Sequence, residues 1–150
     1  MNAMTDLNRN FIAGAWVAGA GEIENRNPSD LSEIVGRYAQ ASANQLDDAL
    51  SAARAAQMIW ADYGLERRHD VLMAIGREMM ERASELGQLL SREEGKPMAE
   101  GKGEVFRAGQ FFTYYAAECL RQIGDTADSV RAGVEIDVRR EPVGVVAVIS

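Results

Sequence analysis

Few residues of this chain are of a type that does chemistry. They are two adjacent acids, Glu93 and Glu94, ahead of Gly95-Lys96-Pro97; a second glycine and lysine run, Gly101-Lys102-Gly103; one histidine, His69; and one cysteine, Cys119. Glycine followed by lysine invites comparison with a phosphate loop, whose backbone N–H groups and lysine cradle an anion. The spacing fails, because five residues separate Gly95 from Gly101, Gly103 stands where a hydroxyl should follow the lysine, and the preceding segment is helical. Caps and loops account for these glycines, and no G-x-G-x-x-G dinucleotide motif is present. His69 lies between Arg68 and Asp70 without further ligands at metal spacing, so it reads as a solvated residue. Cys119 has no base or positive potential beside it in sequence and reads as a small packing residue. Glu93 and Glu94 fall in the last turn of a helix, where the macrodipole disfavours negative charge. Either Lys96 and solvent neutralise them, or a nearby arginine or bound cation does.

The elements that must position these groups follow from the hydrophobic period. The first forty residues read as strands. Phe11-Ile12 and Trp16-Val17 flank a tight turn at Ala13-Gly14-Ala15, Asn27-Pro28-Ser29-Asp30 is a second turn, and a strand resumes over Glu33 to Ala39. At Ser42 the period changes to helical: Ser42 with Gln45 is a capping-box pattern, and Leu46, Ala49, Leu50, Ala53, Ala56 and Trp60 mark one stripe to bury. Gly64 ends this helix. A second helical run carries Val71, Leu72, Ile75 and Met79, continues through Leu86, Leu89 and Leu90, and breaks at Gly95-Lys96-Pro97. A third starts near Met98, carries Val105, Gly109, Phe112, Ala116, Leu120 and Ile123, and should end near Gly124. After a polar link, Asp125 to Ala132, the residues Val134, Ile136 and Val138 alternate with charged ones as a strand with one wet face. Pro142 separates it from Val143 to Ile149, an unbroken apolar run that suits a parallel strand buried on both faces. The expected fold class is α/β: β-hairpins, three main amphipathic helices and the start of a parallel, Rossmann-like sheet.

Composition narrows the function. With 150 residues and 47% hydrophobic content the chain can build a core, and its formal charge of −7 is spread along it without a basic stripe. Nucleic acid is therefore not an expected partner. The apolar-looking stretch Phe11 to Ala20 is too short to span a bilayer and lacks the flanks of a signal peptide, so no membrane association is expected. A single cysteine fits a reducing compartment such as the cytoplasm. Read from the residues alone, the chain is an α/β fragment without a self-contained catalytic constellation, and a non-catalytic helical scaffold or interaction module is the alternative.

Several landmarks occur together and in order: Phe11-Ile12-Ala13-Gly14-Ala15-Trp16-Val17, Asn27-Pro28-Ser29, the alanine-rich helix through Trp60, Glu94-Gly95-Lys96-Pro97, and Arg140-Glu141-Pro142-Val143-Gly144-Val145-Val146. In these the chain resembles the N-terminal third of NAD(P)-dependent aldehyde dehydrogenases, from about Phe11 to Ser150. The resemblance implies that residues 1–124 belong to the NAD(P)-binding domain, 125–141 to a strand segment of the oligomerisation domain, and 142–150 to the first strand of the Rossmann-like sheet. It implies that the catalytic domain lies outside this chain, with the catalytic cysteine, glutamate and asparagine, so no catalytic residue is assigned here and the chain alone is expected to be inactive. Val148, Ile149 and Ser150 match the strand end that lines the cofactor pocket for NAD or NADP. Glu93 matches an acidic position near a monovalent cation. A small aldehyde is the implied substrate, and the full-length protein is expected to be a homodimer or homotetramer. Tyr114-Tyr115-Ala116, Arg121, Gly124-Asp125 and the run Arg139 to Ser150 look most like members that oxidise 2-oxoglutarate semialdehyde; succinate semialdehyde or another short aldehyde is the alternative.

Overall fold

The computed structural model describes residues 7–121 and 124–149, and within them four helices and three small sheets. The mixed α/β class is as expected. Strand β1 is Leu7–Asn8, and β2 (Asn10–Ile12) and β3 (Ala15–Val17) form an antiparallel hairpin of their own, with Phe11 opposite Trp16. Its turn is Ala13 and Gly14, with φ of 53° and 81°, the paired positive values of a two-residue turn whose twist matches its strands. Strands β4 (Gly21–Arg26) and β5 (Ile34–Gln40) are antiparallel, and β1 pairs with β5 in parallel, giving the order β1-β5-β4. The register of β4 slips between Asn25 and Arg26, a bulge that re-aims the side chains beside it.

Helix α1 spans Ala43–Asp62, and Ser42 caps it through the expected box: Ser42 Oγ accepts from the Gln45 N–H at 3.2 Å while Gln45 Oε1 accepts from the Ser42 N–H at 3.0 Å. The second helical run is two helices, α2 (Leu65–Glu81) and α3 (Ala83–Glu94), and not one. Arg82 (φ −92°, ψ 13°) breaks the run, and its guanidinium bonds Glu78 behind and Glu85 ahead. The break turns α2 and α3 so that each packs on α4 (Met98–Cys119). Apolar spacing continues through residue 82, so the pattern does not show it. Ile123, expected on the last helix's apolar face, lies outside the described residues.

The helical layer packs through small residues. Gly76 of α2 meets Gly109 of α4, Gly87 of α3 meets Gly101 of α4, and Ala83, Val105 and Ala116 are buried between them. On the sheet side Val35 and Ala39 are buried.

Three expectations change. The stripe on α1 is not buried: Leu46 is 57% exposed and the helix contains no buried residue, since among the described elements only the short strand β2 makes an appreciable contact with it. The polar link holds a strand, β6 (Asp125–Asp128), which pairs antiparallel with β7 (Glu135–Val138); polar residues suffice there because both strands are exposed throughout. Residues 143–149 form no strand among the described residues, although the backbone is apolar and β-branched. A strand exists through its ladder, and no described neighbour pairs with this segment, so Val143 and Ile149 stand more than nine-tenths exposed.

Candidate functional site

The acids at the end of α3 are gathered into a clasp with the sheet. Gly95 adopts the left-handed conformation (φ 71°, ψ 20°) that ends a helix, and Ser29 Oγ donates to its carbonyl at 3.2 Å. Ser29 belongs to the turn after β4, in which its N–H donates to Asn27 Oδ1 at 2.9 Å. Asn27 Nδ2 donates to Glu33 Oε2 at 2.7 Å, and the Arg92 guanidinium reaches Glu33 Oε1 at 2.8 Å. Turn, strand and helix end are thereby tied. The Asn27 amide and then Arg92 hold the Glu33 carboxyl below the ordinary carboxylate range.

Glu93 lies at the centre, half-buried. Its Oε1 accepts from Asn25 Nδ2 at 2.9 Å and from the Tyr38 hydroxyl at 3.1 Å. Asn25 pairs with Gly36 beside the bulge, whose extra residue is Val35 of β5, and the Tyr38 ring lies over Gly36, where a Cβ would stand 2.9 Å from the ring. Burial first, and then the bond to Glu93, push the Tyr38 hydroxyl pKa up, so the phenol stays a donor. Both donors to Glu93 are neutral. The nearby cations are committed elsewhere, Arg92 to Glu33 and Lys96 to Glu94 and Glu104. Glu94 is thus neutralised by Lys96 as the sequence suggested, while Glu93 takes part in no described ion pair. Among the described residues no group of three or more His, Cys, Asp and Glu side chains could hold a metal ion.

The second place of interest is the far end of the chain. Val148 and Ile149 are exposed, and Ser150 lies outside the described residues. Just before them, Arg140 to Gly144 borders a cavity of about 450 Å³ whose other wall is Gln57, Trp60 and Ala61 of α1 and Arg68 of α2. The Arg68 Nε is buried without a hydrogen-bond partner. A larger concavity, about 620 Å³, runs along β6 and β7, but one two-stranded ribbon supplies all its walls. It is an open surface.

The remaining candidates are bystanders. His69 Nδ1 sits 2.9 Å from Asp70 Oδ1 on the surface of α2, and Cys119 is a half-buried free thiol in the last turn of α4. Sequence reasoning singled out Glu93 but missed Asn25, Tyr38, Asn27, Glu33 and Arg92. Glu93 lies 68 residues from Asn25 and 55 from Tyr38, so no local pattern could pair them.

Comparisons with known proteins agree on one group. A family model described as "Aldehyde dehydrogenase family" matches residues 16–150. The alpha-ketoglutarate semialdehyde dehydrogenase of Haloferax volcanii is 34% identical over 149 residues, which is 98% of this chain and 31% of that protein. A crystal structure of an aldehyde dehydrogenase from Brucella melitensis biovar abortus superposes with a TM-score of 0.85 at 28% identity, over 95% of this chain and 30% of that one. The structure of PnpE in complex with nicotinamide adenine dinucleotide superposes with a TM-score of 0.81 at 29% identity, over 91% and 28%. The chain therefore spans about a third of the length of the proteins it matches.

Proposed function

Since the chain belongs to the aldehyde dehydrogenase family, its match running over residues 16–150, we propose that it is the N-terminal part of an oxidoreductase that oxidises an aldehyde to a carboxylate with NAD or NADP. The observation that carries this reading is the family match extending through the whole helical layer to the end of the chain. A helical scaffold does not account for it. The substrate we favour is 2-oxoglutarate semialdehyde, supported by the Haloferax relative's name and its 34% identity over nearly all of this chain. Succinate semialdehyde or another short aldehyde is the alternative.

In this reading residues 1–124 belong to the cofactor-binding domain, 125–141 to the oligomerisation domain and 142–150 to the first strand of the Rossmann-like sheet. Supporting it, β6 and β7 pair with one another and are exposed along their length, as a ribbon awaiting a second surface would be. A homodimer or homotetramer and a cytoplasmic location go with the same reading. Among the described residues no helix is long and apolar enough to cross a membrane.

Val148 and Ile149 are uncharged, exposed and carry no proton to exchange, which fits one wall against a flat nicotinamide ring; Ser150, the third residue of this reading, lies outside the described residues. The dinucleotide, when bound, supplies the hydride acceptor. The role of these residues is to orient the ring and exclude water, not to react. The nucleophile and base lie outside this chain, and Cys119 is not promoted to either. At Glu93, a carboxylate with two neutral donors on Oε1 fits a monovalent cation at the remaining oxygen. Its test is a melting series in potassium against choline chloride: the wild-type midpoint should rise with potassium, and Glu93→Gln should abolish that rise.

The activity test uses the full-length protein that carries this chain. With NAD or NADP and a panel of semialdehydes it should form reduced nicotinamide, fastest with 2-oxoglutarate semialdehyde, and no turnover with any aldehyde would sink the reading.

A further inference from the structure

We propose that Arg68 is a positioning residue that anchors the elbow from Arg140 to Gly144 by pairing with Glu141, and so sets how Val148 and Ile149 meet the dinucleotide. This rests on the reading above. Arg68 is the fourth residue of α2, where the positive end of the helix dipole disfavours a cation. It nevertheless stands there half-buried, with its Nε inaccessible to water and unbonded. An unsatisfied buried donor on a charged group is costly and calls for an acceptor. The cations beside it have partners: the Arg67 guanidinium lies 3.9 Å over the Tyr63 ring, and Arg140, the other cation lining the cavity, is engaged in an interaction of its own.

Glu141 is the one acid lining the cavity into which Arg68 faces, and it is exposed. It also sits at the turning point of the chain. Pro142 offers no N–H and Gly144 has a φ of 102°, so side chains must fix the direction in which the run from Val143 leaves. The pair does not touch in this structure; the cavity of about 450 Å³ is the gap it would close. Closing it satisfies the Arg68 donor, neutralises a cation at a helix N-terminus and fixes the strand from its base.

The test uses the full-length enzyme: wild type, Arg68→Gln, Arg68→Lys, Glu141→Gln and the double Arg68→Gln/Glu141→Gln, with KM for the dinucleotide, kcat and thermal midpoint measured for each. Each glutamine variant should raise the dinucleotide KM roughly ten-fold with kcat within about two-fold, and the double should be no worse than either single. Arg68→Lys should recover part of the loss, because a charge remains without the planar fork. An unchanged KM in Glu141→Gln, or effects that multiply in the double, overturns the proposal. Should Arg68→Gln fail to fold, Glu141→Gln at its exposed position decides alone. If the wild type forms no reduced nicotinamide, the aldehyde dehydrogenase reading has failed. The ion pair is then judged from thermal midpoints, where additive shifts for the two substitutions overturn it.

Discussion

Glu93 draws its hydrogen bonds from two strands, and single-atom changes should register in stability. Tyr38→Phe keeps the ring over Gly36 but removes the hydroxyl that donates at 3.1 Å. We expect stability to fall by about 1 kcal/mol, seen as a lower urea midpoint at unchanged slope. Glu33 makes the clasp sensitive to acid. Its pKa is lowered in the fold from the ordinary 4.5, so its contribution is present above that value and is lost as pH falls through the lower folded one. Thermal midpoints measured from about pH 6 down to about pH 3 should decline, and Glu33→Gln should flatten the decline. Of these groups only Glu93 stood out in sequence, because an acid at a helix C-terminus breaks a local rule, whereas its donors obey local rules and differ only in where the fold puts them.

Among the elements, α2 and α4 approach at backbone distance. A Cβ at Gly76 would lie 2.7 Å from the Gly109 carbonyl and 2.7 Å from the Thr113 methyl, so Gly76→Ala must push the helices apart. The expected cost is about 1–3 kcal/mol, read from denaturation midpoints. Gly103 on the same α4 is the control: nothing stands within 4 Å of its Cβ position. Gly103→Ala should stabilise by up to about 1 kcal/mol through helix propensity alone. The same glycine-to-alanine change therefore has opposite consequences at the α2–α4 contact and on the open face of α4. Ser42→Ala should cost about 1 kcal/mol by removing the cap of α1. That cap, the hairpin and the Gly95 stop were legible because each is encoded within a few residues. The break at Arg82 was not, since it serves a contact with α4 and leaves the local period intact.

At the scale of the molecule, apolar surface stands uncovered on several elements at once: Phe11 and Trp16 on the hairpin, Leu46 and Met58 on α1, Phe111 and Tyr115 on α4, and the terminal valines. Scattered apolar residues are ordinary, but a whole helix stripe and an unpaired β-branched run are surfaces that fold against something. The chain's span of about a third of its relatives' length accords with this. Expressed as residues 1–150 alone, the protein should enhance the fluorescence of a hydrophobic dye and sediment as a mixture of associated species. On the proposed reading, the longer protein that carries this chain should do neither to the same extent. Equal dye response in both would remove the argument from exposed surface.

What the sequence determined by itself was local: where helices begin and end, where the chain turns, and which runs are apolar enough to need burial. Those features depend on backbone torsions and on hydrogen bonds between near neighbours, so a few residues encode each. Whether an apolar run becomes a strand, whether a stripe becomes a core, and whether an acid acquires partners were decided only by tertiary structure. Val143 to Ile149 has every property of a buried strand and lacks the ladder that makes one. Glu93, by contrast, looked like an awkward helix end and proved to be the point where the sheet and the helical layer are tied, because its partners arrive from 68 and 55 residues away.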